Sequence, residues 1–213
     1  EQLLKGTCDL IEAGRKDYEV AVKGTAVPWE FVGLIHCLEA DCDFDKQLFN
    51  GGRWDKTTVV WPNRTVGPWT SWQNAVKAML HGGMAAYGGV PGFPYFAGMT
   101  DWEPYRLLCR AECWNGTGYA SMNKNSPYIW GLTNHGVGVG KYTSDGKYDP
   151  TAKTADIGCA ALLKELRRRQ AVAATPTPAP TVETKYANVS LEWLTQVKKT
   201  VDELCEQFKG VKP

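Results

Sequence analysis

Residues 27–44, VPWEFVGLIHCLEADCDF, decide the fold. Trp29, Phe31, Val32, Leu34, Ile35 and Leu38 place apolar side chains on most sides of one helix, so this helix is expected at the centre of the core. Pro28 suits the first position of such a helix, where a missing N–H leaves no intrahelical bond unmade. Glu39 ends the apolar run, and Asp41, Asp43 and Asp45 follow it. On the residues alone, two readings of Glu39 stand open. It is either a helix-end glutamate in water, or a carboxylic acid whose apolar neighbours Leu38 and Ile35 raise its pKa by desolvation. The three aspartates read as solvated loop or capping residues.

Outward from this helix, helical patterns alternate with glycine- and proline-rich breaks. Residues 1–23 carry Leu3, Leu4, Leu10, Ile11, Tyr18, Val20 and Val22 in an imperfect helical pattern, interrupted at Gly6 and Gly14. Between Lys46 and Pro68, NGG opens a turn, TTVVW is β-branched and aromatic, and PNRTVGP closes it, which predicts a small hairpin. SWQNAVKAMLHGGMAAYGG resumes a helix capped by Ser71, and GGVPGFPYFAG is a loop. Residues 102–113 read as a short helix, 114–155 as largely loop and 157–169 as another helix.

A linker follows over residues 170–186, where alternating proline and small residues in AVAATPTPAPTVETK favour extended chain. Over 187–213, Leu194, Val197, Val201, Leu204 and Phe208 form the seam of an amphipathic helix that would dock on the domain or on another chain. The expected architecture is α+β, mainly helical with one small β-hairpin lobe over residues 1–169, then the linker and the terminal helix.

The 213 residues, 43% hydrophobic, suffice for one sizeable core. A formal charge of +1 provides no global field for nucleic acid or an acidic membrane, and Arg167, Arg168 and Arg169 read as the solvated end of a helix. No run approaches the roughly 18 apolar residues of a membrane span, so no membrane insertion is expected. No signal-peptide pattern opens the chain. Nine tryptophans, nine tyrosines and 22 glycines suit either a groove for a glycan or an aromatic core. Seven cysteines without scaffold or zinc spacing leave at least one thiol free or paired between chains, and neither metal nor cofactor is expected.

Nucleophilic chemistry fits poorly. His36 abuts Cys37, but adjacent helical residues diverge by roughly 100°, and burial in an apolar helix raises a thiol's pKa. There is no GxSxG element, and HGVGVGKYTSDG (135–146) lacks phosphate-loop spacing. Acid catalysis at an acetal fits better, because it needs a carboxyl that keeps its proton near neutrality in apolar surroundings, as Glu39 would.

A buried helix ending in glutamate, then a β hairpin, then helices, resembles the lysozyme superfamily. IHCLEADCDF is similar to the glutamate-serine region of lytic transglycosylases and goose-type lysozymes, with Ala40 in place of the usual serine. CWNGTGYASMNKNSPYIWGLTNH (113–135) is similar to their later asparagine-glycine and PY segment, which lines the sugar sites. As an ordered set, VPWEFVGLIHCLEA, FNGGRWDKTTVVWP, WNGTGY, SPYIW and DGKYDP resemble lysozyme-like proteins of phages and bacteria over about residues 27–166.

The resemblance implies a lysozyme-like fold and cleavage of peptidoglycan glycan strands at the β-1,4 bond between N-acetylmuramic acid and N-acetylglucosamine, with Glu39 as general acid. Asp55 or Thr58 in the hairpin would direct water from the opposite face. Gly52 stands where the similar group often carries aspartate, which removes one acid. Tyr119, Tyr128 and Trp130 would face sugar rings, and Asn115 and Asn134 would bind N-acetyl groups. Such an endolysin or virion-borne lysin is made in a host cytoplasm or carried on a virion and acts on the cell wall. The alternatives are a lytic transglycosylase, which uses the substrate's own hydroxyl, and a wall-binding or virion structural protein without chemistry. Chitin is a further substrate with the same linkage.

Overall fold

The computed structural model describes residues 1–60, 64–82, 94–144 and 146–173. The expected linker from residue 174 onward and the terminal amphipathic helix lie outside these residues. The protein is mixed helix and small antiparallel sheet, mostly helical. The helices are α1 (Gln2–Ala13), α2 (Arg15–Val22), α3 (Trp29–Ala40), α4 (Trp72–Leu80), α5 (Pro104–Asn115), α6 (Gly118–Ser121), α7 (Pro127–Trp130) and α8 (Cys159–Ala173). Strands β1 (Thr58–Val60) and β2 (Arg64–Val66) form one hairpin, and β3 (Lys141–Ser144) and β4 (Lys147–Asp149) another.

Helix α3 is the centre, as its apolar run demands. Phe31, Val32, Leu34 and Ile35 are fully buried, and α1, α2, α5 and α8 all pack on this helix. Close approach is possible because Gly33 has no side chain: a Cβ there would lie 2.7 Å from Ile11 of α1. Pro28, extended at φ −70°, immediately precedes the helix. At the other end Asp41 and Cys42 both adopt left-handed backbone, φ 54° and 58°. The helix thus stops one residue after Glu39, and a non-glycine residue such as Cys42 costs about 1–2 kcal/mol there.

Around α3 the sequence expectations meet three corrections. Gly6 does not interrupt α1, whereas Gly14 does separate α1 from α2, and a Cβ at Gly14 would lie 2.6 Å from the Tyr18 ring. The segment 114–155, expected to be largely loop, contains α6, α7 and the hairpin β3–β4. Helix α8 also runs past Arg169 to Ala173, and the arginine triplet is not uniformly solvated. Arg169 clamps α8 to α1, donating to Asp9 at 2.8 Å and Glu12 at 2.7 Å, with Glu165 at 2.9 Å on its own helix.

The β1–β2 lobe is attached to the helical core by buried polar contacts. Trp72 of α4 donates its indole N–H to Lys46 O at 3.0 Å, and Trp54 donates to Phe44 O at 2.9 Å. Ser71 caps α4 by accepting from Asn74 N–H at 3.2 Å, as its residue type predicts. No helix among the described residues is long and apolar enough to cross a membrane.

Candidate functional site

Glu39 is the last polar side chain of α3, half-buried where the helix emerges from the core. Burial raises its pKa, opposed by hydrogen bonding from the Tyr128 hydroxyl and the Trp114 indole. The Tyr128 O–H donates to Glu39 Oε1 at 2.9 Å, joining residues 89 positions apart. Burial and the facing Glu39 carboxyl hold the Tyr128 proton on far above its ordinary range, so Tyr128 remains a donor. Glu39 therefore sits half-buried, with two donors, Tyr128 and Trp114, turned toward its carboxyl.

The turn over residues 47–52, just ahead of the first hairpin, meets this helix end. Gly51, at φ +69°, packs so closely that a Cβ would lie 2.9 Å from Glu39 O, and only glycine fits both conditions. Fully buried Gln47 organises that turn: its Oε1 accepts from Phe49 N–H at 2.5 Å, and its amide donates to Asn50. Asn50 in turn donates to Val59 O at 3.1 Å and to Thr58 Oγ1 at 3.4 Å. A Cβ at Gly52 would meet Asn50 and Gln47 at 3.1 Å and Thr58 Oγ1 at 3.4 Å, so the missing side chain keeps this knot closed.

Asp55 is engaged elsewhere. Both its oxygens take the Arg53 guanidinium, at 2.8 and 2.9 Å, and Arg53 also reaches Asp45 at 3.3 Å. The Arg53 hydrogen bonds hold Asp55 below the usual carboxylate range. Asp43 accepts from Asp45 N–H and pairs with Lys46, and Asp41 forms the left-handed helix end, so all three aspartates have the local roles expected of them.

Asn115, Tyr119 and Tyr128 line one cleft of about 940 Å³, walled also by α1, the end of α3 and the β3–β4 hairpin. Tyr119 is built into that wall: its hydroxyl accepts from Tyr142 N–H at 2.9 Å, and its ring meets Tyr142 and Tyr148 edge-on. Tyr128 connects the cleft to Glu39. Trp130, edge-on to His135, and exposed Asn134 are not part of this wall.

Two residues were not foreseen. Glu112 of α5 is 4% exposed, and its Oε2 has no hydrogen-bond partner among the described residues. Burial pushes its pKa up to about 7, against the lowering influence of the Ser126 hydroxyl. Ser126 caps α7, accepting from Tyr128 N–H at 3.1 Å and, more loosely, from Asn115 Nδ2 at 3.5 Å. Only the pattern Glu112-Cys-Trp-Asn115, with a carboxylate beside residues already singled out, pointed that way in the sequence.

The thiols offer no nucleophile–base pair at this site. His36 is spent on Tyr18 O–H at 3.0 Å and Asp43 O at 3.1 Å, and burial lowers its pKa. Hydrogen bonding with Cys42 and burial push the Cys37 thiol up. Cys8, Cys37, Cys42 and Cys159 are free thiols, and no group of three or more His, Cys, Asp or Glu among the described residues could hold a metal. Comparison with protein-family models, with curated proteins and with solved structures finds no match.

Proposed function

We propose that the protein is a lysozyme-like muramidase that hydrolyses the β-1,4 bond between N-acetylmuramic acid and N-acetylglucosamine in peptidoglycan. The observation that carries the reading is Glu39: a carboxyl at the end of a buried helix, with a raised pKa, hydrogen-bonded to a tyrosine that also lines a cleft. A glycosidic oxygen leaves as an alcohol only if it gains a proton, and a carboxyl whose pKa is raised by burial keeps its proton to higher pH than an exposed one. Glu39 donates that proton, the bond to the sugar carbon breaks, water adds to the carbon and releases its proton to solvent, and Glu39 takes a proton back from solvent. Asn115, Tyr119 and Tyr128, which line the cleft, are the proposed sugar contacts, and Trp130 and Asn134 lie outside its wall. The proposed setting is that of an endolysin or virion lysin acting on the cell wall.

For delivery of water, Thr58 is the more available of the two candidates, because its hydroxyl accepts a long bond from Asn50 while Asp55 is gripped by Arg53. Asp55→Asn is therefore expected to slow release of soluble muropeptides no more than about threefold. A hundredfold loss would restore Asp55 as the base. The same ion pair favours a second reading, a lytic transglycosylase, in which the substrate's own hydroxyl attacks and no second carboxylate is required. Tyr128→Phe removes a hydrogen bond that favours ionised Glu39. The high-pH limb of the rate profile should then move up by about one pH unit, with a plateau about tenfold lower as the acid loses its orientation. An unchanged profile would exclude Tyr128 as the partner of the working acid.

The test of the reading as a whole is incubation with purified sacculi. Soluble muropeptides are expected. Binding without release would instead identify a wall-binding or virion structural protein, and release from chitin alone would change the substrate.

A further inference from the structure

Glu112 is a carboxyl that the proposed chemistry does not use. Taking a carboxyl out of water is costly unless its hydrogen bonds are made, and one of its oxygens has no partner among the described residues. The groups that act on it or feel it come from every neighbouring element: Ser126 and Tyr128 at α7, Tyr119 of α6 and Cys159 of α8. Glu39 of α3 shares two of these neighbours, Tyr128 and Cys159. Only Ser126 among them offers Glu112 a hydrogen bond.

The hydroxyl of Ser126 has two lone pairs and one proton. Its oxygen accepts from Tyr128 N–H at 3.1 Å and from Asn115 Nδ2 at 3.5 Å. Both lone pairs are thus engaged and the proton is left to donate, with the Glu112 carboxyl as its acceptor. From there the chain continues without a gap, because the residue whose backbone Ser126 holds is the one whose hydroxyl holds Glu39 at 2.9 Å. Helix α7 is a single turn, Pro127–Trp130, too short to be stable on its own, so its place depends on this cap and on packing against α5 and α8.

We infer that Glu112 is a positioning residue: by fixing the Ser126 hydroxyl it anchors the first turn of α7 and so holds the Tyr128 hydroxyl on Glu39. The inference rests on the reading of Glu39 as the acid for its functional meaning, but its physical content is testable without turnover. Glu112 does not touch substrate in this scheme. What it supplies is an acceptor of fixed position, and this separates it from a residue that merely fills space.

The experiment is a carbon-13 carboxyl NMR titration of the full chain, with Glu39 assigned by its absence in Glu39→Gln. Glu112→Met, which fills the space but accepts no hydrogen bond, should move the Glu39 midpoint upward by about one pH unit, in the direction of Tyr128→Phe. That is the equivalent of one hydrogen bond to a charged group. Ser126→Ala, which keeps Glu112, should do the same and stands in if the methionine variant does not fold. Glu112→Gln, whose amide oxygen still accepts from Ser126, should leave the midpoint in place. A folded Glu112→Met or Ser126→Ala with the wild-type midpoint would overturn the inference, as would a glutamine variant that shifts as far as the methionine one. Muropeptide release is measured in parallel: a wild-type protein that releases nothing refutes the muramidase reading, whereas an active one with an unmoved midpoint refutes the relay.

Discussion

Glu39→Gln should lower the rate of muropeptide release about a thousandfold while the protein stays folded, within the range removed with a general acid. Glutamine keeps the shape of glutamate and can still accept from Tyr128, so the end of α3, the left-handed Asp41–Cys42 turn and the close contact at Gly51 all persist. Only the transferable proton is lost. Because burial is what raises the Glu39 pKa, the neutral amide also removes a desolvation cost, and thermal stability near neutrality should be unchanged or slightly higher. Loss of activity with retained folding separates chemistry from architecture; retained activity would remove Glu39 from the mechanism.

The second large effect concerns stability and falls on Glu112. Its carboxyl titrates near 4.5 when exposed and at about 7 when buried in the fold. Between those two values the folded protein binds more protons than the unfolded chain, so this residue's contribution is full below the lower value and is lost as pH rises through the upper one. At roughly 1.36 kcal/mol per pH unit, the loss from Glu112 amounts to about 3 kcal/mol. Glu112→Gln cannot ionise and should not show it. Urea unfolding of both proteins at pH 5 and pH 8 measures this as a difference of differences, in which the other carboxylates cancel. The variant should gain about 2.5 kcal/mol relative to wild type on going to the higher pH, because part of the effect already lies below pH 5. Parallel pH profiles for the two proteins would mean that Glu112 titrates like an exposed acid.

How much of this was legible in the sequence depends on the range of the interactions. The centrality of α3 was legible because an all-round apolar run has no solvent face to offer, and the Ser71 cap because one side chain and one amide three residues on suffice to make it. The first hairpin was visible in its β-branched run. The second is hard to see in the sequence, because strands of three or four mostly polar residues carry little alternation. The site was half legible. Glu39 announced itself through its apolar neighbours, whereas its partner Tyr128 is 89 residues away and only the fold joins them.

Glu112 was missed for the same reason. In sequence it lies two residues from Arg110 on a helix with mixed polarity, and Ser126, the group that meets it, caps a different helix further along the chain. Asp55 shows how a local pair escapes a reading by residue type: the arginine two residues before it takes both oxygens.

Mass spectrometry of the products released from purified sacculi in oxygen-18 water tests the central claim most directly. Hydrolysis by an acid at Glu39 predicts reducing N-acetylmuramic acid ends carrying the heavy oxygen, formed by wild type and absent with Glu39→Gln. Anhydro-muramic ends without the label would contradict hydrolysis, and labelled products from the glutamine variant would contradict the role of Glu39.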